Sequence, residues 1–176
     1  MKLLLTNDDG VDVPGLEALL RAARTLGHDP VVVAPATHQS WCSHTITAKR
    51  GLRVEQRGDN RFAVHGTPAD SVRMGLLRLA PEAKWVLSGI NHGANLGADV
   101  YYSGTVAAAR EALLHGWPGV ALSHYRRRGV ELDDWGHLRA GRSAGPANAA
   151  RALLQRQFAA PGAERDEGAA GCLLPA

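Results

Sequence analysis

Residues 1–15, MKLLLTNDDGVDVPG, decide how the rest of this chain is interpreted. A short apolar run ends abruptly at Asn7, Asp8, Asp9 and Gly10. Two adjacent carboxylates at the end of a buried strand are costly unless a positive group lies between them. A hard divalent cation, which prefers oxygen ligands, would meet that need. The same residues suit an acidic turn before a helix, because Asp and Gly are common turn residues, so both interpretations stay open.

The remainder of the chain alternates predicted strands with predicted helices. Apolar runs predict strands at residues 2–6, 30–34, 85–88 and 120–123, and the run at 30–34 is rich in valine, as is typical of strands covered on both faces. Helix-start residues predict helices that begin near Pro14, Thr67 and Thr105. This β-α-β order predicts an α/β fold, a doubly wound and mostly parallel sheet flanked by helices.

Residues 45–55 and 61–64 predict a β-hairpin inserted into this sheet, with the turn at Gly58-Asp59-Asn60. The turn after the first strand carries Asn7-Asp8-Asp9-Gly10 instead of Gly-x-Gly-x-x-Gly. A dinucleotide-binding fold normally shows that glycine pattern there. An NAD-dependent oxidoreductase is therefore disfavoured.

The length of 176 residues suits a single domain with a sizeable core. We expect the α/β domain to span residues 1–158, with an amphipathic helix within residues 139–158. Residues 159–176 are rich in Ala, Gly and charge, and predict an irregular or disordered tail.

Composition narrows the class of protein. It is 45% hydrophobic and 21% charged, as is typical of a globular domain. The net charge of +3 comes with scattered arginines, so we expect no nucleic-acid partner. No apolar run approaches the roughly 20 residues that span a bilayer, so we expect no membrane association. Cys42 and Cys172 are too few and too far apart in sequence for a disulfide framework. The first predicted strand begins at residue 2 and leaves no room for a signal peptide. We therefore expect a cytoplasmic location.

The loops after the predicted strands carry the candidate chemistry, because ligands of open α/β sheets bind at the carboxyl ends of the strands. Two carboxylates, a serine hydroxyl and an asparagine carbonyl would form an all-oxygen shell for Mg²⁺, Mn²⁺ or Ca²⁺. Ser103-Gly104-Thr105 offers hydroxyl and N–H groups at a helix start, where anions bind. Together these are typical of a metal-assisted phosphoryl hydrolase, although each alone also fits a turn or a helix cap. Trp41, in the loop after the second strand, is suited to stacking on a base or covering the crevice.

Several short motifs are informative as an ordered set. They are Asn7-Asp8-Asp9-Gly10-Val11 with Pro14-Gly15, Val33-Ala34-Pro35, Gln39-Ser40, Gly66-Thr67-Pro68-Ala69-Asp70, Ser88-Gly89-Ile90-Asn91, Asn95-Leu96-Gly97 and Tyr102-Ser103-Gly104-Thr105-Val106-Ala107-Ala108-Ala109. In this order, over residues 1–123, the chain resembles the SurE (survival protein E) family of 5′-nucleotidases.

The resemblance implies a Rossmann-like fold and a divalent-metal-dependent phosphatase that acts on nucleoside 5′-monophosphates. Some members also cleave 3′-nucleotides or short polyphosphate. It further implies one metal ion per subunit, Mg²⁺ or Mn²⁺, held by Asp8, Asp9, Ser40 and Asn91. Because family members usually form dimers or tetramers, we expect a homodimer or homotetramer.

Catalytic roles follow as hypotheses. Asp8 or Asp9 orients or deprotonates the attacking water, and direct attack by Asp8 stays open. The non-bridging phosphate oxygens are held by Asn95, Ser103, Gly104 and Thr105.

Two departures from the family pattern leave an alternative function open. Trp41 stands where the family has a small residue, often glycine. No segment after Leu154 matches the family's further strands and oligomerisation arm. The alternative function is therefore a catalytically impaired protein of the same fold that binds nucleotide or metal.

Overall fold

The apolar run that opens the chain forms the central strand of a six-stranded sheet in a computed structural model, which describes residues 1–124. The strands are β1 (Lys2–Thr6), β2 (Asp29–Pro35), β3 (Val54–Gly58), β4 (Arg61–Val64), β5 (Trp85–His92) and β6 (Gly119–His124). Their order in the sheet is β3-β4-β2-β1-β5-β6, and each neighbouring pair is parallel except β3 with β4. The predicted α/β class and the mostly parallel sheet are confirmed.

Helices cover both faces of this sheet. They are α1 (Pro14–Thr25), α2 (Pro68–Met74), which continues as a π-helical turn over Gly75–Leu79, α3 (Asp99–Tyr102) and α4 (Gly104–Leu114). Successive residues of a strand point to opposite faces. Leu3 and Leu5 accordingly pack with the apolar side of α1, and Leu4 packs with α2 and α4. None of the helices in residues 1–124 has the length and apolar character to cross a membrane.

Local sequence signals explain where these helices begin. Pro14 occupies the start of α1, where its missing N–H costs nothing. Thr67 caps α2 through a reciprocal pair of hydrogen bonds with Asp70. Ser103 caps α4 by accepting the Val106 N–H, so this helix begins at Gly104, one residue before the predicted start.

The hairpin prediction is wrong in extent. Only the part from Val54 onward is a strand, and residues 45–53 are irregular. The Thr47 N–H and Oγ1 both donate to the carboxylate of Asp70, at 2.9 and 2.7 Å. The Asp70 side chain thus satisfies the Thr47 N–H, which in a hairpin would bond to a neighbouring strand.

The strand predicted at residues 85–88 is longer than predicted. β5 continues past Ser88 to His92, because Asn91 and His92 pair with Ser123 and His124 of β6 after a register shift. The predicted helix within residues 139–158 and the predicted tail at residues 159–176 lie outside the described residues.

The topology places a crevice beside β1. From β1 the chain moves to β2 on one side, and the later strand β5 lies on the other side. In doubly wound sheets, ligands bind at such a switch point, outside the carboxyl ends of the strands. Asp8 and Asp9 follow β1, and Asn91 lies near the end of β5.

Candidate metal and phosphate site

A cavity of about 320 Å³ opens at this edge of the sheet. All four predicted metal ligands, Asp8, Asp9, Ser40 and Asn91, line it. Two of the predicted phosphate-binding residues line it as well, namely Asn95 and Ser103. Residues from the loops after β1, β2 and β5, from the end of β5 and from the cap of the helix that begins at Gly104 therefore meet in one place.

Asn7 builds the turn that presents the two carboxylates. Its Nδ2 donates to the Gly10 carbonyl at 2.8 Å, and its Oδ1 accepts the Gly10 N–H at 3.2 Å. Gly10 has a φ of 119°, a backbone conformation that residues other than glycine rarely adopt. The Gln39 N–H donates to the Asp8 carbonyl at 2.7 Å, so the turn is joined to the loop that carries Ser40.

Asp8 is the more buried of the two carboxylates, at 5% exposure. Its Oδ1 accepts a 2.5 Å hydrogen bond from the Thr105 hydroxyl. Burial raises the pKa of Asp8, the negative charge of Asp9 adds to the rise, and the Thr105 hydrogen bond opposes it. A cation beside this pair would favour the ionised form of both carboxylates.

Asp9 faces the cavity from the same turn and has further partners. Its Oδ1 lies 3.4 Å from His38 Nδ1, and its Oδ2 accepts the His92 N–H at 3.5 Å. His38 Nε2 in turn lies 2.6 Å from Ser40 Oγ. His38 therefore connects two predicted metal ligands, a role that the sequence analysis missed. The one available signal was its position two residues before Ser40 in the same loop.

The two asparagines are oriented through their amide nitrogens. Asn91 Nδ2 donates to the Gly93 carbonyl at 2.8 Å, so Oδ1 is the atom that a metal ion would take. Asn95 is buried, and its Nδ2 donates to Ser123 Oγ at 2.7 Å. Ser123, at the end of β6, is a second supporting residue that the sequence did not indicate.

Gly104 and Thr105 are fully buried beside Asp8 and do not appear in the lining of the cavity. A Cβ on Gly104 would lie 2.7 Å from Asp8 Cβ and 3.0 Å from Cys42 Sγ. Only glycine allows the start of α4 to approach the carboxylate this closely. The helix N-terminus, which favours anions, is thereby brought next to the predicted metal ligands.

Cys42 is half-buried in the same region. Burial raises the pKa of its thiol to about 11, and the negative charge of Asp8 contributes to the rise. Its Sγ lies against Gly104, so Cys42 contributes to the packing between its loop and the start of α4.

Two more lining residues, Asp99 and Tyr102, come from α3. A helix of four residues is too short to show an apolar period, so the sequence contained no signal for it. Tyr102 packs beside Trp41, with ring centroids 6.2 Å apart and planes tilted by 43°.

The donor set suits a hard divalent ion. Within residues 1–124 no cluster of three or more His, Cys, Asp and Glu side chains is arranged to hold a metal. The predicted shell contains only two such residues, since its other donors are the Ser40 hydroxyl and the Asn91 amide oxygen. Two carboxylates with two neutral oxygens fit Mg²⁺ or Mn²⁺ in chemistry, and the buried Asp8 beside Asp9 gains from such an ion.

The family model and the relatives that match this chain are described as survival protein SurE or as 5′-nucleotidases. The family model described as "Survival protein SurE" matches residues 3–162. A putative 5′-nucleotidase from Nostoc sp. is 49% identical over 133 residues, which are 76% of this chain and 58% of that protein. A protein named 5′-nucleotidase SurE from Paramagnetospirillum magneticum is 52% identical over 125 residues, covering 70% and 48% of the two chains.

Among solved structures, the SurE protein from Aquifex aeolicus matches with a TM-score of 0.69 and 41% sequence identity. The match covers 74% of this chain and 53% of that chain. The present chain thus spans about half the length of the relatives it matches.

Proposed function

This chain belongs to the SurE family, and from that premise we propose that it is a metal-dependent phosphomonoesterase. The proposed reaction converts nucleoside 5′-monophosphates to nucleoside and phosphate, with 3′-nucleotides or short polyphosphate as further substrates. One observation carries the proposal: a single cavity is lined by Asp8, Asp9, Ser40 and Asn91 next to the start of α4.

Asp8, Asp9, Ser40 and Asn91 would hold one Mg²⁺ or Mn²⁺ ion per subunit. When bound, such an ion polarises the phosphate and lowers the pKa of a water molecule. Burial raises the pKa of Asp8, and a cation at this place would offset that cost of ionising a buried carboxylate.

The protein's own residues would position the reactants. The Asp9 side chain, 17% exposed, is the more accessible of the two carboxylates, so Asp9 is assigned to orient and deprotonate the attacking water. Asp8 is held by Thr105 and is assigned to anchor the cation. Attack by Asp8 itself would leave a phosphorylated Asp8, detectable by mass spectrometry after acid quenching of the reaction.

The phosphate would be held by a set of neutral donors. Asn95 and Ser103 line the cavity, and the N–H groups at Gly104 and Thr105 lie in the first turn of α4. A helix N-terminus favours negative charge, which grows on the non-bridging oxygens in the transition state.

Phosphate release from a nucleotide panel tests the proposal. The full chain is incubated with Mg²⁺, Mn²⁺ or a chelator, and released phosphate is measured. We expect release only with metal, and its loss in Asp8→Asn and Asp9→Asn. Asp59→Asn is the matched control, because Asp59 is an exposed carboxylate in the turn between β3 and β4.

A second candidate is a catalytically impaired protein that binds nucleotide and metal. It is favoured by one observation, namely that the large side chain of Trp41 lines the cavity directly beside Ser40. Metal-dependent binding of nucleotide without phosphate release under any condition would establish this candidate in place of the phosphatase.

Assembly and location are part of the same proposal. A homodimer or homotetramer is expected by likeness to the family, and light scattering on the full chain measures the oligomeric state.

A reducing, cytoplasmic location is supported by the pair of distant cysteines, of which Cys42 is free. Fractionation of cells tests the location.

A further inference from the structure

We propose that Trp41 and Tyr102 form a stacking surface for the nucleobase of the substrate. The proposal rests on the proposed function, because it states how that site would distinguish nucleotides from other phosphate esters. The occupant is a purine or pyrimidine ring attached to the phosphate that the cavity holds.

The location of the two rings is the first argument. Of the large hydrophobic side chains exposed in residues 1–124, Trp41 and Tyr102 are the two that line the cavity containing Asp8 and Asp9. Trp41 directly follows Ser40, and Tyr102 directly precedes Ser103. A ligand whose phosphate reaches the carboxylate end therefore has its remaining part near the aromatic pair.

The positioning of the rings is the second argument. Trp41 has a φ of 60°, a left-handed conformation that residues of its size rarely adopt. The Ser43 N–H donates to the Tyr102 carbonyl, and Ser43 Oγ donates to the Tyr101 carbonyl, both at 3.0 Å. These bonds join the loop of Trp41 to α3, and the two ring centroids lie 6.2 Å apart.

Exposure and chemistry are the third argument. Trp41 is 73% exposed and Tyr102 is 52% exposed, so each leaves ring surface accessible. An aromatic face binds any nucleobase by stacking, because every base has a π-face. The surface is therefore expected to separate nucleotides from sugar phosphates and not one base from another.

Steady-state kinetics on the full chain test this inference. AMP is compared with ribose 5-phosphate, which keeps the sugar and phosphate but lacks the base. Trp41→Asn removes the ring and keeps a residue that tolerates the left-handed conformation, and Trp41→Phe restores an aromatic ring. Tyr101→Ala is the control, because Tyr101 is an exposed aromatic outside the cavity lining.

We expect Trp41→Asn to lower kcat/KM for AMP between about fivefold and a hundredfold, mainly through KM. The loss for ribose 5-phosphate is expected to be at least about fivefold smaller. Trp41→Phe should recover most of the loss, and Tyr101→Ala should behave as the parent.

Three other outcomes separate the two proposals. If the parent releases phosphate from neither compound, the proposed function fails. If both compounds are hydrolysed and Trp41→Asn affects them equally, the stacking surface is refuted while the phosphatase stands. If Trp41→Asn reduces the mass measured by light scattering and leaves the preference for AMP unchanged, the rings form a contact between copies and the inference is overturned.

Discussion

Thr105 Oγ1 donates a hydrogen bond of 2.5 Å to Asp8 Oδ1 and so joins residues 97 positions apart in the sequence. Asp8 follows the central strand, and Thr105 lies in the first turn of α4. The bond lowers the pKa of Asp8 against the larger effect of burial, which raises it. It therefore helps to keep a buried carboxylate ionised and in place.

Thr105→Val should destabilise the fold, because it removes the hydroxyl and keeps the shape of the side chain. A buried polar group that loses its partner costs about 1–3 kcal/mol, and we expect a loss in that range in urea unfolding. The pKa of Asp8 should rise further, since the bond that lowers it is absent. Mn²⁺ binding, measured by calorimetry, should weaken as well.

Thr105→Ser retains the hydroxyl and is the control for this change. It should bind Mn²⁺ nearly as the parent does, at a small cost for the lost methyl group. Equal unfolding free energies for the parent and Thr105→Val would show that the bond to Asp8 contributes nothing.

Asp8→Asn should raise the melting temperature of the metal-free protein at pH 7. Burial raises the pKa of Asp8, so the folded state binds this proton more tightly than the unfolded state does. Stability from this group is present at low pH and is lost as pH rises through the raised pKa. Asparagine removes the buried charge, and each kcal/mol of relief corresponds to about 2–4 °C in a chain of this size.

Differential scanning fluorimetry with a chelator, at pH 7 and near pH 4, measures that effect. The advantage of Asp8→Asn should shrink at the lower pH, where the parent also carries a neutral Asp8. Added Mn²⁺ should stabilise the parent more than the variant. A parent that melts above the variant at pH 7 without metal would contradict the expected cost of burying this charge.

The positions of Asp8 and Asp9 in the fold could be predicted from the sequence, because they depend only on the geometry of the strand that precedes them. Asp8 and Asp9 follow a buried strand, so the edge of the sheet at which they lie follows from the order of strands and helices. The association of Ser40 and Asn91 with them came from family motifs, because nothing local shows that two distant loops meet.

Other parts of the site depend on packing that the sequence does not display. The hydrogen bond from the Thr105 hydroxyl to Asp8 could not be predicted, because it depends on where α4 lies against β1. His38 joins Asp9 to Ser40 only because its loop folds back over the turn at Asp8. Residues 45–53 were predicted to be part of a strand, because nothing in the sequence indicates that Asp70 lies beside Thr47.

Gly104→Ala should destabilise the fold and weaken metal binding together. The added Cβ would lie 2.7 Å from Asp8 Cβ, and a short side chain cannot swing away from such a contact. Overpacking of this kind costs about 1–3 kcal/mol, which chemical unfolding would detect. Gly51→Ala is the control, since a Cβ on Gly51 meets nothing within 4 Å. Parent-like stability and Mn²⁺ affinity in Gly104→Ala would show that α4 can move away from Asp8 freely.

Cys42 should react slowly with iodoacetamide in the folded protein. Burial and the charge of Asp8 raise the pKa of its thiol from 9.0 to about 11, and only the thiolate attacks the reagent. A Cys172→Ser background isolates Cys42, whose alkylation at pH 8 should be about a hundredfold slower than after unfolding in guanidinium. Adding Asp8→Asn to this background removes one cause of the raised pKa and should speed the reaction. Equal rates in the folded and unfolded protein would contradict the raised pKa, and an unchanged rate on adding Asp8→Asn would refute the contribution of the carboxylate.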